Sequence, residues 1–103
     1  MNRVVADKFE TVRALAAKHG VRRLYLFGSA VSDAFDAARS DLDFLVEFKP
    51  SPPGGRANSY FGLLEDFESL FGRQVDLIEA GAIRNPYFLA AVEETKLPLY
   101  EAP

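Results

Sequence analysis

Asp41 and Asp43, in the run SDLDFLVEF, are two carboxylates at positions i and i+2 of an otherwise apolar stretch. In an extended chain that spacing puts both on one side, with α-carbons roughly 7 Å apart, close enough for the side chains to converge on one or two hard divalent cations. Unmetallated, they repel each other, and a cation compensates them more fully than a lone arginine. Taken alone, an Asp-x-Asp pair is most often polar surface at a strand end, here with Ser40 and Asp41 making a turn. A third aspartate shifts the balance. Asp76 stands between Val75 and Leu77 in QVDLIE, where β propensity disfavours it. Three out-of-place aspartates on two strands point to one site.

Gly28-Ser29, at the end of the run VRRLYLF, supplies the complementary half. Glycine lets backbone approach a ligand closely, and a serine hydroxyl with the amides of a helical turn offers donors to phosphate oxygens. Arg56 and Arg84 are lesser candidates: a loop arginine could close over a triphosphate but more often only solubilises. His19 is accounted for by a helix C-terminus. Tyr60, Phe67 and Phe71 fit a core stripe, and Phe61, off that stripe, is free to face a partner.

The elements that must position these residues follow from periodicity. Val5, Phe9, Val12, Leu15 and Ala16 recur at three- and four-residue steps and predict an amphipathic helix over 3–19, stopped by Gly20. Residues 21–27 read as a strand, AVSDAF (30–35) as a short helical turn, and 41–48 as the next strand. Period two puts Leu42, Phe44, Val46 and Phe48 on one face and Asp41, Asp43, Leu45 and Glu47 on the other. KPSPPGGRAN (49–58) reads as an exposed loop. The apolar residues from Tyr60 to Phe71 predict a helix capped by Ser59 and stopped by Gly72. A strand over 74–79, a helix opened by Asn85-Pro86 and a last edge strand at LPLYE complete the chain. That order predicts a two-layer α/β (α+β) fold with a mixed β-sheet and helices, residues 1–103 forming one domain. The link from Phe27 to Asp41 is too short for a crossover helix, so those strands are expected to be antiparallel neighbours.

Composition narrows the function classes. The 103 residues carry a formal charge of −3 and a pI of about 5.1, so a broad basic footprint for nucleic-acid backbone is missing. Cysteine is absent and His19 is the single histidine, which excludes disulfides, thiolate zinc sites and histidine clusters. No apolar run has the length of a membrane span, the N-terminus is too charged for a signal peptide, and a cytoplasmic location is expected.

FGS, a spacer, and then SDLDFLVEF resemble the signature of the DNA polymerase beta-like nucleotidyltransferase superfamily, and most closely its minimal nucleotidyltransferase (MNT) branch; the tail GRQVDLIEAGAIRNPYFLAAVEETKLPLYEA is similar as well, so the likeness covers nearly the whole chain. The resemblance implies that Gly28 and Ser29 hold the triphosphate of an ATP donor, that Asp41 and Asp43 ligate two Mg2+ ions, and that Asp76 completes the metal site and can act as general base. It also implies transfer of AMP to a hydroxyl on a HEPN-domain partner, in a toxin–antitoxin module. The alternatives are transfer to a small molecule by a homodimer, and a non-catalytic module that binds its partner. The spacer of residues 30–40 is one longer than is usual for the branch, and no basic residue closely follows Ser29, so weaker phosphate binding is expected unless Arg39 or a loop residue compensates.

Overall fold

The computed structural model describes residues 2–31 and 41–103. Helix α1 (Arg3–Ala6) opens on Asn2, whose side chain accepts from the Val5 amide, and α2 (Phe9–Lys18) follows. The single helix expected over 3–19 is therefore two. The Lys8 amide takes the carbonyl of Val5, three residues back, and this tighter turn ends α1 while both halves keep a core residue, Val5 and Val12, fully buried. Strands β1 (Val21–Phe27) and β2 (Leu42–Phe48) pair antiparallel, as the short link between them requires. A 3-10 turn, Gly28–Val31, follows β1; the remainder of the expected helical turn, the rest of the spacer and Arg39 lie outside the described residues.

Helix α3 (Gly55–Phe71) starts four residues before the expected Ser59 cap. Pro52 and Pro53 cannot donate backbone hydrogen bonds, the Pro52 carbonyl accepts from Gly55, and Gly54 holds the cap position. The first turn, Arg56 to Asn58, is exposed, so it carries no apolar period to read. Gly72 ends α3 as expected. Strand β3 (Val75–Glu79), helix α4 (Pro86–Thr95) and strand β4 (Leu97–Glu101) complete the fold, with Asn85 accepting from the amides of Tyr87 and Phe88.

The mixed four-stranded sheet has the order β3-β2-β1-β4, with β2 and β3 parallel and β4 on the edge. One face carries the main core: Leu24, Leu26, Leu42, Phe44 and Val46 pack against Val5, Val12 and Ala16 and against Leu63 and Phe67 of α3. Phe44 lies 4.8 Å from the Phe67 ring and 6.0 Å from Phe71, ring to ring. The opposite face bears a smaller cluster, Phe27, Leu45 and Val92, so α4 covers the face on which Asp43 lies. Among the described residues no helix is long and apolar enough to cross a membrane.

Candidate active site

The parallel pairing of β2 and β3 makes Asp43 and Asp76 direct register partners. Partners on neighbouring strands project to the same face, so two carboxylates meet where unlike charges or apolar groups would be favourable. Their side chains are close enough for a hydrogen bond when one of them holds a proton. Partial burial, that bond, and the charges of Asp76 and then Asp41 push Asp43 from its ordinary 3.8 up to about 6. Asp41 stands just before β2, exposed, near enough for its charge to be felt at Asp43. The structure thus brings Asp43 and Asp76 together with Asp41 at their margin. Among the described residues no three His, Asp or Glu side chains stand as a complete metal cage.

Gly28 lies directly over Asp43. Phe27 is the register partner of Asp43 on β1, and the chain turns at Gly28 with φ of +72°. A Cβ built there would sit 2.5 Å from Asp43 Oδ2. The position needs glycine for its left-handed backbone and again for the approach to the carboxylate. Ser29 follows in the same 3-10 turn, half-buried.

Beside Gly28 and Asp43 opens a groove of about 620 Å³, whose other wall is α4, with Phe88, Ala91, Val92, Glu94 and Thr95. The Phe88 ring meets Phe27 edge-on at 6.0 Å, which seats the start of α4 against the end of β1. Sequence reasoning placed α4 as a helix without assigning its groove-lining residues; most are apolar, and Glu94 and Thr95 read as ordinary polar positions of an exposed helix. Tyr87 is 86% exposed, and Phe88 and Leu89 are also exposed.

The lesser candidates lie elsewhere. Arg56 pairs with Glu79 at 3.6 Å, at the far end of the β2–β3 ladder from Asp43 and Asp76, and Arg84 donates to the Gly81 carbonyl. His19 stands at the C-terminus of α2, as expected, and its Nε2 lies 2.6 Å from Asp66 Oδ2, tying α2 to α3. The imidazole fits because Gly62 has no side chain: a Cβ there would come 2.7 Å from His19 Cε1. Phe61 is 63% exposed. Tyr60 is more than a core ring, since its hydroxyl donates to the Leu77 carbonyl at 2.6 Å; burial and the charges of Glu79 and Asp76 raise its pKa, so it remains a donor.

Known proteins share this architecture and sequence. A family model described as a nucleotidyltransferase domain matches residues 10–98. Two Methanocaldococcus jannaschii proteins, each named "putative protein adenylyltransferase", are 35% and 34% identical over 82 residues, 80% of this chain and 80% of theirs. A solved structure of a "putative minimal nucleotidyltransferase" superposes with a TM-score of 0.77 at 29% identity, covering 96% of this chain and 97% of the other. Fold likeness extends to the tri-AMPylated Shewanella oneidensis HEPN toxin in complex with its MNT antitoxin, with a TM-score of 0.65, 16% identity and coverage of 94% of this chain and 72% of that one. It also reaches a toxin–antitoxin structure with AMP-PNP, at 0.69, 18%, and 91% and 73%.

Proposed function

This chain belongs to the nucleotidyltransferase domain family, and from that premise we propose that it transfers AMP from ATP to a hydroxyl on a HEPN-domain protein, acting as the antitoxin of the pair. The observation that carries the reading is the meeting of Asp43 and Asp76 under Gly28. An all-carboxylate donor set suits Mg2+, a small hard ion that keeps several waters and needs only one or two protein carboxylates beside substrate phosphates. The neighbouring charges that help to raise Asp43 mark the place where a cation relieves carboxylate repulsion. Two Mg2+ ions held there would neutralise charge on the triphosphate and on the departing pyrophosphate and would lower the pKa of the attacking hydroxyl.

The roles of the chain's own residues follow. Asp41 and Asp43 hold the metals, and Asp76 completes the site and accepts the acceptor's proton at its carboxylate. The Gly28-Ser29 turn presents backbone amides and a hydroxyl to phosphate oxygens. The groove against α4 receives the groups that flank the reacting phosphorus, and its apolar wall keeps water from competing with the acceptor. A HEPN partner is supported by the fold likeness to the MNT antitoxin and by Tyr87, Phe88 and Leu89 exposed on the helix that walls the groove, apolar surface of the kind that marks protein interaction sites. A donor supplied as ATP goes with a cytoplasmic location.

Labelled ATP, Mg2+ and the HEPN-domain protein that co-purifies test the reading. The intact chain is expected to label the partner, and the Asp41→Ala, Asp43→Ala double variant is not. Absence of both label transfer and metal-dependent ATP binding in the intact complex overturns it.

A further inference from the structure

Asp43 and Asp76 are held in unequal ways. Asp43 lies on an inner strand, paired with β1 on one side and β3 on the other. Asp76 is exposed on a five-residue edge strand whose sole strand neighbour among the described residues is β2. Short edge strands open locally at low cost, and an exposed side chain has no packing of its own to fix it. A carboxylate that must stand at a set distance from its neighbour therefore needs support from outside the sheet.

That support comes from α3, on the open side of β3. The Val75 amide donates to Glu68 Oε2 at 3.2 Å, and the Tyr60 hydroxyl donates to the Leu77 carbonyl at 2.6 Å. The two anchored residues are the immediate neighbours of Asp76 in the chain. Tyr60, Leu64 and Glu68, at four-residue steps of α3, form one ridge along β3. Their bonds occupy backbone groups that an edge strand otherwise offers to water or to another chain, and they leave Asp76 little freedom to slide or tilt.

We propose that Tyr60 and Glu68 are positioning residues that clamp the backbone on both sides of Asp76 and so set the spacing of the Asp43–Asp76 pair for cation binding. The inference rests on Asp76 being a metal ligand, as proposed above. Partners bonded to a ligand's own side chain are worth about ten- to a hundredfold in metal affinity; anchors on the adjoining backbone act one step further out, at or below the low end of that range.

The test uses Mn2+ alone as a spectroscopic stand-in for Mg2+, titrated into the nucleotide-free chain and followed by electron paramagnetic resonance well below the melting temperature of each variant. Tyr60→Phe and Glu68→Met are expected to weaken Mn2+ binding by up to about tenfold, while Glu68→Gln, which keeps an acceptor oxygen, is expected to retain most of it. In an Asp76→Asn background, Tyr60→Phe is expected to add no further loss, because both changes act through one carboxylate. Lower melting temperatures with unchanged Mn2+ affinity in Tyr60→Phe and Glu68→Met overturn the clamp and reduce it to edge protection. Unchanged affinity in Asp76→Asn itself overturns the metal-ligand assignment, and the proposal with it, and the two failures are told apart by which variant stays silent.

Discussion

Replacing Asp43 with asparagine should stabilise the metal-free protein at neutral pH and leave it unchanged in acid. Asp43 is raised from 3.8 to about 6 in the folded chain, so the folded state holds its proton over a range in which the unfolded state has released it. The associated stability is present below about pH 4 and is lost as pH climbs to about 6. Above that, the folded protein carries an unfavourable carboxylate beside Asp76, which the neutral amide of the variant removes. For a group closed to water the rise would correspond to about 3 kcal/mol. The half-exposed Asp43 meets its neighbours partly through solvent, which brings the gain of Asp43→Asn to about 1 kcal/mol, or about 4–8 °C in melting temperature for a domain of this size. Thermal melts in EDTA from pH 4 to pH 8 read this directly. Excess Mg2+ should then raise the melting temperature of the wild type and leave the variant where it was. A gain that is the same at every pH, or a loss at pH 7.5, would refute the argument that burial and the neighbouring carboxylates raise Asp43.

Gly28→Ala should destabilise by about 1–2 kcal/mol from its left-handed backbone, with metal-dependent ATP binding lost as well, because the new methyl meets the Asp43 carboxylate; calorimetry with ATP and Mg2+ checks both, and normal binding would remove Gly28 from the site. Asp66, held below the usual carboxylate range by its hydrogen bonds to His19 and Lys18, contributes stability at neutral pH that fades as pH falls. Asp66→Asn should therefore melt lower than wild type at pH 7 and converge with it in acid, and a constant difference would show that the ion pair is not the cause. Phe67→Ala removes a fully buried ring packed at a tilt against Phe44 and should cost about 3–5 kcal/mol by urea denaturation; a loss below about 1 kcal/mol would mean that the core closes over the gap.

The strands were legible because their patterns are strong. β1 occupies the residues expected of it, and in β2 the alternation of Leu42, Phe44, Val46 and Phe48 with the Asp43 face holds, Leu45 being buried by α4 on the second face. Less legible were the helix starts. A single bond to the residue three back breaks α1 from α2 without disturbing the apolar period, and the first turn of α3 is exposed and so has no period at all. Asp43, Asp76 and Gly28 announced themselves by being the wrong residues for a strand or at its end. The walls of the groove and the Tyr60 and Glu68 bonds did not, because Tyr60 sits in a stripe that reads as core and its consequential atom is one hydroxyl oxygen.

What converts separate aspartates into a site is the direction of β3. Between β2 and β3 the chain has room for α3, seventeen residues long, and a crossover of that length permits a parallel pair that a hairpin would forbid. Parallel pairing sets Asp43 against Asp76 and Val46 against Glu79, so both aspartates fall at the end of the ladder where Gly28 turns over Asp43. In an antiparallel pair with the same centre, Leu45 would take the place of Asp43 opposite Asp76, and no second carboxylate would face it. The helix that permits the parallel order is also the one that carries Tyr60 and Glu68, so the element that brings Asp76 to Asp43 is positioned to hold it there.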